Sequence, residues 1–342
     1  MRVIRELKTK NLIIMTIENY LKKTLLFLSA LAMITVKSFS QSTLNDGIAA
    51  FNKGLEERQA ENYTEALNQF DEALRIADSL GDEGEELKIK VETLLPQVYY
   101  QIGMSLYNQK KIDEAIEKFK ETIDMGNKYN DGDAVMKASN ALSQLYYYKG
   151  STNYKQENFN DALDYFRKAI EMQSDNVRAY YMIEAVYKSL DDDDSLMTAA
   201  KRSMEVAKAS NDNKYYDGSL KLAKDYFLVK ANSAKDAKKF EEALKYVKYS
   251  LEFDAESPTT YLLLVQIYSS MQNWDEEIAA AEKGLEYEKK DPAEQAKFYY
   301  EIGNAYKEKG DNEKACDAFK KASVGAFKES SEYQIQYVLK CG

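Results

Sequence analysis

Residues 147–169 read YYKGSTNYKQENFNDALDYFRKA, and this stretch decides the fold. Its small and apolar residues recur every three or four positions, which is the spacing of one face of an α-helix. A glycine, Gly150, lies twelve residues before the alanine of the pattern. The same order of aromatic, alanine, aromatic and alanine residues occurs at Tyr63, Ala66, Phe70 and Ala73, and again at Phe159, Ala162, Phe166 and Ala169. The chain is therefore expected to repeat one helical unit.

Seven copies can be aligned on the residue that corresponds to Gly150, twelve residues before the alanine. We call this residue the eighth position of the repeat. That position holds Gly54, Gly103, Gly150, Glu184, Ala231, Val265 and Gly303. With alanine at the twentieth position, an aromatic residue at the twenty-fourth and a small residue at the twenty-seventh, the chain resembles the tetratricopeptide-repeat (TPR) family over residues 47–329. The first, second, third and seventh copies match strongly. The other three are degenerate, with Leu196 and Glu277 in place of alanine and Val247 in place of the aromatic residue.

The resemblance implies an all-α fold, an α-α superhelix (TPR solenoid) of about seven helix-turn-helix repeats. Small residues at the eighth and twentieth positions let two antiparallel helices approach closely. Stacking of successive pairs then builds the hydrophobic core that no single pair could form alone.

Three of the repeats are longer than the family's usual unit. Successive eighth positions are separated by 49, 47, 34, 47, 34 and 38 residues. The excess of thirteen to fifteen residues corresponds to about four helical turns. The added segments lie around residues 82–94, 127–137 and 210–220, and each changes from turn-forming to amphipathic sequence. They are predicted to lengthen the first helices of the second, third and fifth copies, and Pro96 is a candidate kink within one of them.

Composition excludes several kinds of chemistry. The chain contains no histidine, which is the usual general base and the commonest metal ligand at neutral pH. Ser-His-Asp and Cys-His mechanisms are therefore impossible within this chain, and two distant cysteines cannot form a four-cysteine zinc site. We expect no catalytic residue, no metal-binding residue and no cofactor, and predict that the protein is not an enzyme.

The first forty residues differ in character from the rest. Lys22 and Lys23 precede an apolar run over residues 25–36, and a short polar segment leads to Gln41. This order predicts a signal peptide over residues 1–40, cleaved near Gln41. A membrane span needs about 20 apolar residues, so a cleaved leader is favoured over a retained anchor. The start codon is either Met1 or Met15, since Met15 opens the more typical leader.

The predicted leader implies where the protein is located and what net charge it carries after cleavage. Such leaders resemble those of proteins exported by Gram-negative bacteria, so a periplasmic or secreted protein is expected. Residues 1–40 carry seven Lys or Arg and two Asp or Glu, which leaves 40 basic and 55 acidic residues and a net charge of −15. This charge disfavours nucleic acid and anionic membrane surfaces as partners, and no membrane span is expected after cleavage.

The first helices carry a stripe of aromatic residues that could bind a peptide. At the fifth position of the repeats these are Phe51, Tyr100, Tyr147, Tyr181 and Tyr300. Their rings and hydroxyls would suit a peptide held in a groove. Tyrosine is also a common residue of the family at this position, so ordinary repeat composition remains the alternative. The fifth and ninth positions contain no basic residue, so the clamp by which chaperone-binding relatives hold a terminal carboxylate is not expected.

Two further features have competing interpretations. Cys316 and Cys341 either form a disulfide that pins the C-terminal end or remain one buried and one exposed thiol. The polar stretches 191–194 and 211–218 are interpreted as solvated turns that cap the following helices, rather than as cation sites. Residues 330–342 are predicted to form a capping segment, since Tyr333, Ile335, Tyr337 and Val338 could cover the end of the array.

These observations lead to a domain plan and a function. The plan is a signal peptide (1–40), a TPR solenoid (41–329) and a C-terminal capping segment (330–342). The expected function is that of an exported, non-catalytic scaffold that binds a protein or peptide partner in the cell envelope. The alternative is a periplasmic module that binds a glycan or small solute.

Overall fold

The computed structural model describes residues 21–24 and 43–341, and the predicted leader lies largely outside them. No strand occurs in the described residues. Beyond a single helical turn at 21–24, the helices are α1 (43–59), α2 (Tyr63–Leu80), α3 (Glu85–Asn108), α4 (Ile112–Tyr129), α5 (Gly132–Lys155), α6 (Phe159–Met172), α7 (Val177–Ser189), α8 (Asp193–Ala209), α9 (Asn213–Asp236), α10 (Phe240–Phe253), α11 (Pro258–Ser270), α12 (Trp274–Tyr287), α13 (Pro292–Glu308), α14 (Asn312–Ala322) and α15 (Lys328–Tyr333). The first fourteen form seven consecutive pairs, as the repeat alignment predicts.

One turn geometry closes the first helix of all seven pairs. In each turn, the residue seven positions after the eighth position has a positive φ between 57° and 80°. The next residue donates its backbone N–H to a carbonyl five residues earlier, for example Asn158 to Asn153 at 2.9 Å and Asp192 to Tyr187 at 3.1 Å. This is the Schellman ending, which satisfies carbonyls that the helix itself leaves free. The residues with positive φ are Glu61, Lys110, Glu157, Asp191, Lys238, Gln272 and Gly310. The degenerate fourth and sixth copies thus keep the repeat's backbone.

The three lengthened first helices are confirmed. Helices α3, α5 and α9 have 24 residues each, whereas α7 and α11 have 13. Helix α3 continues through Pro96, whose side chain is buried. The second helices that precede these inserts, α2, α4 and α8, are also longer, with 17 or 18 residues against 11 to 14 in the other four, so the added residues extend both helices that flank each turn.

Close packing between paired helices depends on glycine at the eighth position. A Cβ atom added to Gly103 or Gly150 would lie 2.7 Å from the ring of Phe119 or Phe166, respectively. The glycine therefore creates the space that the ring of the twenty-fourth position fills. These rings are among the most completely buried side chains of the chain.

The described chain consists of two compact units, residues 43–145 and 146–341, which divide within α5. The core of the first unit runs from Ala66 and Phe70 to Val98 and Ile102. The second unit has a large core around Phe227 and another around Phe298, two of the rings that its helix pairs enclose. Each unit is described separately below.

The C-terminal segment consists of short helical turns that follow α14. Residues Gly325–Phe327 form a 3₁₀ turn, α15 follows, and Gln334–Val338 form a π-helical turn. Phe327 covers Tyr300, with ring centroids 5.0 Å apart. Of the four apolar residues expected to cap the array, Ile335 is half-buried, whereas Tyr333, Tyr337 and Val338 are exposed by 57%, 67% and 47%. A disulfide joins Cys316 to Cys341, with Cα atoms 5.8 Å apart, and ties the end of the chain to α14.

Candidate functional site

The five aromatic residues of the predicted groove are half-buried in the structure, and four contact the ring at the twenty-fourth position of their own pair. Their centroids lie 5.8 Å (Phe51–Phe70), 5.6 Å (Tyr100–Phe119), 5.7 Å (Tyr147–Phe166) and 5.5 Å (Tyr300–Phe319) from those rings. One face of each ring is therefore part of the core, as ordinary repeat composition would require. Tyr300 is also covered by Phe327, so a free ring face is left on the other three at most, and a binding role for these residues stays a prediction.

Tyr181 is the exception, because Ala200 replaces the ring at the twenty-fourth position of its pair. It packs instead on Tyr215, at the start of the lengthened α9, with centroids 5.5 Å apart and planes inclined by 62°. Burial raises the pKa of Tyr215, and the phenol of the nearby Tyr147 raises it further. The guanidinium of Arg178 lies over the Tyr147 ring, 5.2 Å from its centroid.

We name these four residues, Tyr147, Arg178, Tyr181 and Tyr215, the tyrosine cluster. The three rings are half-buried and Arg178 is exposed. Two of the rings contact each other, and the guanidinium contacts the third. Within residues 43–341, the three hydroxyls and the guanidinium have no hydrogen-bond acceptor or ion-pair partner from the protein. The cluster thus offers ring edges, hydroxyls and one cation to a ligand, a combination typical of protein recognition surfaces.

The sequence alone missed half of this cluster. Residues 211–218 were interpreted as a solvated turn that caps α9, and the cap itself is present, since Asp212 accepts the backbone N–H of Tyr215 at 3.2 Å. The side chain of Tyr215, however, faces the preceding repeat. The available signal was the aromatic pair Tyr215–Tyr216 within an otherwise polar stretch.

A second candidate lies in the first unit, which we name the arginine cleft. It has a volume of about 280 Å³ and is lined by Arg58, Gln97, Tyr100, Gln101, Asp133, Ala134 and Lys137. Arg58 comes from the last turn of α1, the central residues from α3, and Asp133 to Lys137 from the lengthened start of α5. Of these residues, the sequence had singled out Tyr100 only.

The acidic turn at 191–194 is more than the solvated cap that the sequence predicted. Asp192 does cap α8 by accepting the backbone N–H of Ser195 at 3.1 Å. Asp193, by contrast, is half-buried and accepts hydrogen bonds from Lys230 (2.8 Å), Tyr226 (2.7 Å) and Tyr246 (2.7 Å). Burial by itself would raise the pKa of Asp193, but these three donors outweigh it and hold the pKa below its usual range. The carboxylate thereby joins the turn to α9 and α10.

Two buried glutamates have no hydrogen-bond partner in the described structure. Glu184 occupies the eighth position of the fourth copy, and Glu277 the twentieth position of the sixth. Burial raises the pKa of Glu184 to about 8, although Ser219 and Lys188 lower it in part. Burial, together with the nearby carboxylate of Glu301, raises the pKa of Glu277 to about 8 as well. Both carboxyls are therefore largely protonated at neutral pH.

Metal sites and membrane spans are two other kinds of feature that the described residues do not contain. In residues 21–24 and 43–341, no group of three or more acidic or cysteine side chains is placed to hold a metal ion. Over the same ranges, no helix is both long and apolar enough to cross a membrane.

Three of the helix pairs match models of a known protein family. Residues 97–124, 143–176 and 296–323 each match a family model described as a tetratricopeptide repeat. These segments belong to the second, third and seventh copies, whose landmark residues are clear in the sequence. No curated protein matches the chain.

Several solved structures are similar at low identity. The MamA protein is 18% identical, and the match covers 58% of this chain and 96% of that one at a TM-score of 0.31. A tetratricopeptide repeat protein from Parabacteroides merdae is 15% identical, with 87% and 100% covered and a TM-score of 0.30. YrrB, described as a TPR protein with an unusual peptide-binding site, is 18% identical, with 57% and 88% covered and a TM-score of 0.28. Structures this distant give no information about what this chain binds.

Proposed function

Because the chain belongs to the tetratricopeptide-repeat proteins, we propose that it is an exported, non-catalytic scaffold that binds a protein or peptide partner in the cell envelope. The fold itself is one that serves as a scaffold for protein or peptide binding. The observation that carries the proposal is the tyrosine cluster. Its aromatic rings and Arg178 are the residue types that contribute most to protein–protein binding energy.

Export is supported by two independent features. The first is the basic, apolar and polar order of residues 1–40, which is typical of a signal peptide. The second is the Cys316–Cys341 disulfide, because such bonds persist in oxidising compartments and are rare in the cytosol. The absence of histidine from the whole sequence supports a non-catalytic role.

The tyrosine cluster can be tested with substitutions that spare the core. Tyr147→Ala would remove a ring that packs on Phe166, so Tyr147→Phe is the better change, combined with Arg178→Gln and Tyr181→Phe. The mature protein, immobilised, is exposed to an envelope extract, and the retained proteins are quantified by mass spectrometry. We expect one stoichiometric partner whose retention falls about tenfold or more in the triple variant.

The matched control is Tyr148→Phe, because Tyr148 adjoins Tyr147 in sequence but is 59% exposed and outside the cluster. Retention should be unchanged in this variant. If the partner binds the triple variant as well as it binds the unsubstituted protein, the tyrosine cluster is not the site.

A glycan or small solute is the second candidate ligand, since exposed ring faces and free hydroxyls also suit a sugar. Calorimetric titration with soluble envelope oligosaccharides separates the two. Binding of an oligosaccharide that is lost in the triple variant would favour the solute-binding module over the scaffold.

A further inference from the structure

The arginine cleft contains a cation that is oriented by neutral groups. Arg58 donates from Nε to Oε1 of Gln101 at 2.8 Å and from Nη2 to Oε1 of Gln97 at 3.1 Å. Both acceptors are amide oxygens, and no carboxylate among residues 43–145 pairs with this guanidinium. Elsewhere in the same unit, Arg75 shows the ordinary arrangement, with a carboxylate oxygen of Glu72 at 2.6 Å.

The two glutamines leave one edge of the guanidinium free. They occupy the Nε–H and one Nη2–H, so the opposite edge, between Nη1 and Nη2, has no acceptor in the described structure. That edge can form paired, parallel hydrogen bonds to a carboxylate, as the Nε–Nη2 edge of Arg75 does with Glu72. Fixing the guanidinium by two neutral acceptors reduces the conformational entropy that such binding would lose.

The charge of the cleft is opposite to that of the molecule. Its lining carries two cations, Arg58 and Lys137, and one carboxylate, Asp133. Lys137 and Asp133 pair with each other at 2.6 Å and are both more than half exposed. The cleft therefore has an excess positive charge on a chain whose net charge is −10. An anionic group is attracted here and repelled by most of the remaining surface.

We propose that the arginine cleft binds a carboxylate of an acidic peptide segment, with the free edge of Arg58 as the principal donor and Lys137 as a second cation. A volume of about 280 Å³ is sufficient for one acidic side chain or chain terminus. The half-buried ring of Tyr100 forms part of the wall. Because Lys137 and Asp133 belong to the lengthened part of α5, the site requires the insertion in the third copy.

The proposal is tested with three unlabelled pentapeptides on the mature protein. The first contains adjacent Asp and Glu side chains and an amidated C-terminus, the second is a Gly-Ser peptide with a free C-terminal carboxylate, and the third is the same Gly-Ser peptide amidated. Binding is followed through the arginine Nε–H signals in ¹⁵N NMR, with Arg58 assigned by substitution. We expect one or both carboxylate peptides to shift the Arg58 signal with a dissociation constant of about 1 mM or tighter.

The substitutions then identify the donor. Arg58→Gln should weaken binding about tenfold, and Arg58→Lys should also weaken it, because a lysine keeps the charge but loses the planar fork. Lys137→Gln should weaken binding about threefold without disturbing the Arg58 hydrogen bonds. Arg75→Gln is the matched control and should leave binding unchanged. Thermal melting by circular dichroism verifies that each variant is folded.

Three results would overturn the proposal: equal binding of the amidated neutral peptide, unchanged binding by Arg58→Gln, or no shift of the Arg58 signal with any peptide at 10-fold the expected dissociation constant. Comparison of the first two peptides decides whether a side chain or a chain terminus supplies the carboxylate. The residues differ entirely from those of the tyrosine cluster, so either site can fail its test while the other passes.

Discussion

At the scale of single residues, the eighth and twenty-fourth positions compensate for each other in volume. Where the eighth position is glycine, the twenty-fourth is always phenylalanine, as in Gly54–Phe70 and Gly303–Phe319. In the three degenerate copies the larger residues Glu184, Ala231 and Val265 are matched by Ala200, Val247 and Ala281. All six of these side chains are buried. The degenerate repeats thus conserve packing volume, which close-packed interiors require.

Glu184 fills its space with a carboxyl group, which makes the stability of the second unit depend on pH. Its pKa is about 8 in the folded chain, compared with 4.5 for an unperturbed glutamate. Between these values the folded state retains a proton that the unfolded state has released. Stability is therefore highest near pH 5 and falls as pH rises toward 8, by on the order of 1 kcal/mol per pH unit within that window.

We predict that Glu184→Gln removes the part of this dependence that Glu184 contributes, while Glu277 with its similarly raised pKa keeps its own, and that the variant is more stable than the unsubstituted chain at pH 8. Urea unfolding monitored by fluorescence is the measurement, since the single tryptophan, Trp274, lies in the same unit. The control is Glu171→Gln, which replaces an exposed glutamate of α6. Parallel pH profiles for Glu184→Gln and the unsubstituted protein would contradict the prediction.

At the scale of elements, the turns between paired helices share one backbone geometry although their residues differ. Six of the seven place a residue other than glycine in the left-handed region, at some conformational cost. The fourth turn gains an additional connection, because Asp191 and Asp193 both contact Lys230, at 2.7 and 2.8 Å. Tyr246 donates to Asp193 from α10, and the pKa of this tyrosine is raised to about 12, by burial first and then by that hydrogen bond.

We predict that Asp193→Asn lowers the free energy of unfolding of the second unit by about 1 to 3 kcal/mol, since it weakens charge-assisted bonds to three donors at once. The midpoint of urea unfolding, followed by Trp274 fluorescence, measures the change. Asp194→Asn is the matched control, because Asp194 has only a 3.4 Å contact to Tyr249, and it should alter stability by less than about 0.5 kcal/mol. Equal effects of the two substitutions would mean that the network contributes nothing specific.

At the scale of the whole molecule, the terminal disulfide determines how the C-terminal end is held. The bond closes a loop between residues 25 apart in sequence and ties the end of the chain to α14. The exposed tyrosines of the last segment contribute little burial of their own. Covalent attachment therefore substitutes for the hydrophobic face that a terminal cap usually supplies.

We predict that Cys341→Ser destabilises the second unit by about 3 kcal/mol, mainly because the unfolded chain is no longer cross-linked. Urea unfolding should become insensitive to reductant in this variant, while the unsubstituted protein loses stability when reduced. Intact mass before and after reduction supplies the control. A mass that does not increase by two hydrogen atoms on reduction of the purified protein would show that the bond is not formed.

The repeats and the helix boundaries could be predicted from the sequence because they depend on local spacing. Gly150, Ala162 and Phe166 lie within one helix pair, so their separation along the chain already specifies how they meet. The longer first helices followed in the same way from the intervals between copies, and α3, α5 and α9 confirm them. The leader and its cleavage near Gln41 stay predictions from residues 1–40.

The candidate binding surfaces required the tertiary structure, because they combine residues from different repeats. Tyr215 meets Tyr181 across 34 residues of sequence, and Arg58 meets Gln101 across 43. The repeat pattern marks Tyr181, but it does not indicate that Tyr215 or Arg58 would meet residues of a neighbouring repeat. The sequence by itself thus determined what each helix pair is, through short-range volume and periodicity. Only the folded chain decided which polar groups are left without partners, because that depends on how neighbouring pairs are stacked.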